Sequence, residues 1–256
     1  MSRNTRIPSL AFALLSMALL IAGCAGPGAN PSPTPTNSPN PSGLPSPTPP
    51  SPTVPPVTQV ESPAQAAAVV FAHEHVARIG PLQTDVVGQS AWYEAYEEAG
   101  GYAVKLTVGA GDCQAGCIER HTWTYHVDAD GTVTLVGDEG DDIGLPSGEG
   151  TADPVSLRVS LTAGPICPVE HNPPDPACAP RPVVNVEIYV YDAAGNEVGS
   201  MISDETGVAS IELPAGAYFV APATVTDLMG QAEPLAFAAV GGDSVALVFG
   251  YDTGIR

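Results

Sequence analysis

The distribution of apolar residues changes character along this chain. An apolar run from Leu10 to Ile21 follows Arg3 and Arg6. A positive start, an apolar segment of about 7 to 15 residues and small residues before a cut are the parts of a secretory signal, and the run falls short of the roughly 20 residues that span a bilayer. Residues 1–23 are therefore expected to be a signal peptide. From Pro27 to Pro56 only Ala29, Leu44 and Val54 offer anything to a core, the rest being Pro, Ser, Thr, Asn and Gly. This predicts a linker over residues 24–61. In polyproline II at ~3.1 Å per residue, about thirty such residues reach roughly 90 Å.

Helical periodicity begins at Ser62. Ser62 as N-cap and Pro63 at the first helical position mark a start, and Ala66, Val69, Val70, His73, Val76 and Ala77 share one face of a helix extending to Ile79. Glu74 and Arg78 form an i,i+4 pair on another face, and Gly80-Pro81 ends the helix. Strands follow over Trp92 to Glu97, Tyr102 to Val108, His121 to Val127 and Thr132 to Val136. Tyr102, Val104, Leu106 and Val108 face one way, and Trp123, Tyr125 and Val127 another. Asp128-Ala129-Asp130-Gly131 reads as a hairpin turn. One helix and a four-strand antiparallel meander make residues 62–144 a small α+β domain. It is broadly similar to the helix-on-sheet modules of exported proteins, the PepSY and cystatin types. The alternative function this motivates is a regulator or inhibitor of an exported peptidase.

Residues 153–256 carry alternation of period two with no helix. Leu157, Val159 and Leu161 alternate with Arg158, Ser160 and Thr162, and Val184, Val186, Ile188 and Val190 with Asn185, Glu187 and Tyr189. Ala209 to Leu213, Tyr218 to Val220 and Ser244 to Tyr251 behave similarly. Short strands with turn signals at regular spacing predict a β-sandwich, so the chain is read as mainly β. The stretch from Val183 to Val220 resembles the carboxypeptidase regulatory-like domains, a branch of the transthyretin-like and CnaB-type sandwiches. The resemblance rests on Asp192-Ala193-Ala194-Gly195, on Ser203-Asp204-Glu205-Thr206-Gly207, and on Leu213-Pro214-Ala215-Gly216-Ala217-Tyr218 before an edge strand. Gly195, Gly207 and Gly216 are placed where such turns need positive φ. The resemblance implies an accessory module rather than an activity. A CnaB-type isopeptide bond needs a lysine, and the chain's single lysine, Lys105, lies in the first region.

Charge narrows the partners. The chain carries 8 Lys+Arg against 28 Asp+Glu, a formal charge of −20. A surface this acidic repels phosphate backbones over a Debye length of about 8 Å, which argues against nucleic acid. Leu20-Ile21-Ala22-Gly23-Cys24 resembles the lipobox of bacterial lipoproteins, whose cysteine is acylated on sulfur and becomes the new N-terminus. The resemblance implies lipid attachment at Cys24, a membrane partner through the anchor, and a position on the extracytoplasmic face of the cell membrane. Two or three acyl chains at ~0.8 kcal/mol per buried CH₂ suffice for anchoring.

With Cys24 committed to lipid, export puts the remaining thiols where disulfides persist. Four thiols allow three pairings. The local pairs, Cys113 with Cys117 and Cys167 with Cys178, are expected because each lies within one proposed domain.

Cys113, Cys117, His121 and His126 superficially suggest zinc. A zinc finger needs roughly twelve residues between its Cys and His pairs, and here the interval is far shorter. His121 and His126 also point to opposite faces of a strand. His73-Glu74-His75 is not H-E-x-x-H, since helical positions two apart diverge by about 200°. His73 is read as a hydrogen-bonded core histidine and His75 as solvated. Asp138, Glu139, Asp141 and Asp142, with Asp128 and Asp130 nearby, offer oxygens to Ca²⁺ but lack the D-x-D-x-D-G-x₅-E loop. No metal and no cofactor are expected.

The segment from Cys167 to Cys178 holds Pro168, Pro173, Pro174 and Pro176 between its cysteines, with Glu170, His171, Asn172 and Asp175 as candidate binding residues. It reads either as a preorganised binding loop or as a stapled crossover between strands. No nucleophile elbow, Walker A loop or carboxylate pair is present, so no catalytic residue is assigned. The expectation is a non-enzymatic, lipid-anchored surface module for an extracellular protein or glycan.

Overall fold

Helix α1, Pro63–His73, starts where the sequence places it. In the computed structural model, which describes residues 59–83, 86–169 and 173–256, Ser62 Oγ accepts the Gln65 amide at 3.1 Å and Pro63 follows the cap; this satisfies one of the orphan donors of the first turn. Gln65 is buried and uses both ends of its side-chain amide, accepting from the Glu61 N–H and donating to the Gln59 carbonyl.

The helix ends six residues short of Ile79, with Glu74 as its C-cap. His75 and Arg78 sit at φ 54° and 55°, which no helix continues through. Val76, Ala77 and Ile79 are nevertheless buried, because the extended segment after the cap packs as an extra edge. Ile79 and Ala238 exchange backbone hydrogen bonds at 3.2 and 2.9 Å. The expected Glu74–Arg78 pair is absent: Glu74 meets His73, and Arg78 Nε donates to Asp243 at 3.1 Å.

Strands β1 (Ala91–Glu98), β2 (Gly101–Ala110), β3 (Glu119–Asp128) and β4 (Val133–Gly140) form the antiparallel meander in chain order. The Asp128–Gly131 turn is as read, with Gly131 at φ 83° and its amide donating to the Asp128 carbonyl. Tyr102 stands opposite Val127, Val104 opposite Tyr125 and Leu106 opposite Trp123. Residues directly opposite share a face, so the two apolar sets expected to point different ways form one layer against α1.

The second region is a β-sandwich of β5 (Val155–Gly164), β6 (Arg181–Pro182), β7 (Glu187–Asp192), β8 (Glu197–Ile202), β9 (Val208–Leu213), β10 (Gly216–Pro222), β11 (Leu235–Ala239) and β12 (Ser244–Asp252). One sheet runs β11-β10-β7-β8. In the other, β5 is flanked by β12 on one edge and by β9 and β6 on the other. All pairs are antiparallel except β5 with β12. Leu157, Val159, Leu161, Ile188, Val190, Phe237, Leu247 and Phe249 fill the space between the sheets.

Two details of the resemblance are corrected. Gly195 and Gly207 take φ 85° and 74°, as their turns require, whereas Gly216 does not have positive φ. A Cβ at Gly216 would lie 3.0 Å from the Tyr218 hydroxyl, so close approach is what restricts it. The strand after it, β10, is not an edge but lies between β11 and β7. Val184, expected to point inward with Val186, is 49% exposed because β7 begins only at Glu187.

Helix α1 belongs to both regions. One side packs on β1 and β2, the other on β10 and β11. Every residue from Ala64 to Phe71 is buried, as expected of a helix apolar all round rather than along one stripe. Ala193, Phe219, Ala236 and Ala238 of the sandwich join its cluster. The Tyr93 hydroxyl accepts the buried Ala236 N–H at 2.7 Å. His73, expected in the core, is exposed, since the surfaces enclosing α1 do not reach its last residue.

Candidate binding site

The Cys167–Cys178 disulfide closes the Pro-rich loop, with Cα atoms 5.3 Å apart. Asp175 caps a short 3₁₀ turn, Pro176–Cys178, by accepting the Ala177 N–H at 2.9 Å. Its carboxylate is exposed, so the proline-flanked turn presents one fixed negative charge to solvent. Closing a loop of this length contributes on the order of 2 to 3 kcal/mol in the chain-entropy account. The loop leaves β5 at the end where Asp252 pairs with Gly164, and the Thr253 hydroxyl donates to the Pro165 carbonyl. Glu170, His171 and Asn172 lie outside the described residues, as do Cys24, the signal segment and the linker to residue 58.

The Cys113–Cys117 disulfide staples the loop between β2 and β3 around a 3₁₀ turn, Cys113–Ala115. Its sulfurs are joined and cannot serve as thiolate ligands. A Cβ at Gly109 would fall 2.4 Å from Cys117 Sγ, which explains the glycine inside β2.

His121 and His126 lie on opposite faces of β3 and serve separate carboxylate groups. His121 Nδ1 meets the Asp141 carbonyl and Nε2 the Asp138 carboxylate at 2.6 Å, while its ring stacks on Trp123 at 4.1 Å between centroids. His126 Nδ1 meets Glu98, and Nε2 meets Asp128 at 3.2 Å. Each ring thus faces an acceptor at both nitrogens, and only the imidazolium donates to both. The Asp141 carbonyl chiefly, then Asp138, raises the His121 pKa, and Glu98, then Asp128, raises that of His126. Two carboxylates of the acidic run are engaged, Asp138 by His121 and Asp141 by the Arg120 N–H at 2.7 Å. Among the described residues, no group of three or more His, Cys, Asp or Glu is placed to hold a metal ion.

Two hollows border the α1 junction. One, about 660 Å³, lies by the helix start between Gln59, Gln65, Tyr191, Phe219 and Gln231. The other, about 340 Å³, separates Ile79, Pro81 and Gln89 from the first half of β12. Every buried side-chain nitrogen and oxygen among the described residues has a partner. The buried Ser203 hydroxyl, for example, donates to Val183 O and accepts from Val186 N, which makes it a structural clip.

The second hollow and the β12 edge beside it were not foreseen. Only the uncharged alternation of Ser244 to Tyr251 hinted at them, and it reads equally well as an interior strand.

No protein-family model and no curated protein matches the chain. Among solved structures it is similar to the Bacillus anthracis TIE protein, at 17% identity over 69% of this chain and 34% of that one, with a TM-score of 0.30. It is also similar to GBS52, the minor pilin of Streptococcus agalactiae, at 13% identity over 54% of this chain and 61% of that one, with a TM-score of 0.30. The chain spans about a third of the first and three fifths of the second. At these scores neither likeness bears on function.

Proposed function

We propose that this protein is a lipid-anchored module of the extracytoplasmic membrane face, held by Cys24 on a Pro-rich stalk over residues 24–61, and that its β-sandwich binds an extracellular protein or glycan without catalysing a reaction. Residues 62–144 and 153–256 are taken as its two domains, joined through α1. The observation that carries the reading is the disulfide between Cys167 and Cys178, with Asp175 capping the short turn that leads into Cys178; a loop closed by a cross-link has fewer conformations to lose on binding. Two disulfides in one small chain agree with an oxidising exterior.

The test screens the Cys24→Ser chain, released unlipidated from exporting cells, against protein and glycan arrays. At least one ligand is expected that the Cys167→Ser/Cys178→Ser variant no longer retains. Ligands held equally by both, or none at all, would sink the proposal.

A further inference from the structure

We propose that the outer edge of β12 takes up an extended strand from a basic partner polypeptide, by backbone pairing. The argument begins with the ladder. The Ser156 amide donates to the Asp243 carbonyl, and in a parallel pair the residues of one strand bond alternately to the neighbour and away from it. Counting from that bond, Val245, Leu247 and Phe249 turn their backbone groups to β5, and Ala246, Val248 and Gly250 turn theirs outward. The end of the strand agrees with this phase: the Asp252 carbonyl, also outward, accepts the Met229 N–H at 2.7 Å. Among the described residues no strand pairs with this edge between Ser244 and Tyr251.

Sheet edges are ordinarily blunted by charge, proline, bulges or covering chain, and the other edges here follow that rule. β4 carries Asp138 and Glu139 and opposes a register break at Thr124/Tyr125. β8 begins at Glu197 beside a break at Val190/Tyr191. β11 is covered by Ile79, and the Tyr93 amide of β1 is taken by Gly80. From Ser244 to Tyr251, by contrast, β12 has no charge, proline or bulge, and Val248 is 67% exposed.

The occupant follows from what adjoins the edge. The hollow of about 340 Å³ opens between β12 and the segment from Arg78 to Pro81, with Ile79, Pro81, Ala239, Val245 and Leu247 in its walls. An added strand would send alternate side chains into it, where these walls favour apolar ones even though Arg78, Gln89 and Asp243 also border the space; pairing supplies affinity and the hollow supplies selectivity. The formal charge of −20 attracts a basic chain and opposes a second copy of this one. This surface begins at the opposite end of β12 from the Cys167–Cys178 loop, so it stands apart from the binding reading above.

The probe is a nine-residue peptide of alternating valine and lysine, titrated into the Cys24→Ser chain at physiological salt. The control is the same peptide with every amide N-methylated, which keeps its charge and removes its donors. Saturable binding is expected, at least tenfold weaker for the control, with slowed hydrogen exchange at Ala246, Val248 and Gly250. Val248→Pro removes one outward N–H at a position where an edge strand tolerates proline, and should also weaken binding at least tenfold; if that variant melts early, the methylated control decides. Cys167→Ser/Cys178→Ser should bind the peptide unchanged. Equal affinity for both peptides, no saturation, or edge protection that grows with protein concentration alone would overturn the proposal.

Discussion

Replacing Tyr93 by Phe removes one oxygen and isolates one amide. Tyr93 is 6% exposed and Ala236 fully buried, and the hydroxyl of the first accepts the N–H of the second at 2.7 Å. Burial, the first cause, pushes the Tyr93 pKa up to about 12, so the hydroxyl stays neutral at any pH used for a stability measurement. In Tyr93→Phe the ring and its edge-on contact with Phe71 at 5.3 Å are retained, and no sizeable cavity opens. What is lost is the only acceptor of a buried donor, which costs about 1 to 3 kcal/mol. For a domain of this size that lowers Tm by roughly 2 to 12 °C.

The assay is urea denaturation followed by two probes. Trp92 and Trp123 both lie on the first sheet, so their fluorescence reports that region, while far-UV circular dichroism reports the sandwich strands as well. Because the broken bond joins the regions across a shared core, both midpoints should fall together. A loss under about 0.5 kcal/mol would mean that the bond contributes nothing net. A tryptophan midpoint that shifts while the dichroism midpoint stays would refute the coupling itself.

Acidity and backbone geometry supply further tests. His121 and His126 have folded pKa values raised above the ordinary 6.5, so their contribution is full below about pH 6.5 and is lost as pH rises through the folded values. Measured against the His121→Gln/His126→Gln variant, the advantage in Tm should shrink from about pH 6 to pH 8; a constant difference would refute this. Gly100 and Gly207 both have positive φ, but a Cβ at Gly100 meets nothing within 4 Å, whereas one at Gly207 comes 2.6 Å from the Leu161 carbonyl. Gly100→Ala should cost about 1 kcal/mol and Gly207→Ala at least about twice that; equal costs by thermal melting would show that sterics at Leu161 do not matter.

Local signals were legible and remote partners were not. Ser62-Pro63, the Asp128–Gly131 turn, the alternating strands and both disulfide pairs could be read because each depends on residues close in sequence. The end of α1 was misplaced because Val76 and Ile79 continue a helical spacing while being buried for another reason, the pairing of Ile79 with Ala238. His73 shares that spacing but is exposed, because the surfaces enclosing α1 stop short of the helix's last residue. The parallel pairing of β5 with β12 joins strands on opposite ends of the sandwich sequence, and period-two alternation says which face is apolar but not which strand lies alongside. The disulfide frame of the candidate loop was visible; the open edge of β12 was not, since an edge is defined by a neighbour that does not come.

The enclosure of α1 has a consequence for how this sequence can drift. Ala64, Ala66, Ala67 and Ala68 are all within 3% of full burial, so their smallness sets how near the flanking sheets approach. Extra methylenes there would wedge those sheets apart, at a typical cost of 1 to 3 kcal/mol each. An ordinary surface helix has an outer side on which mutations accumulate harmlessly, and this one has none along Ala64 to Phe71. Neutral variation is pushed out to the turns and the solvent faces of the strands, leaving eight central positions as the part of the chain where distant cousins should look most alike.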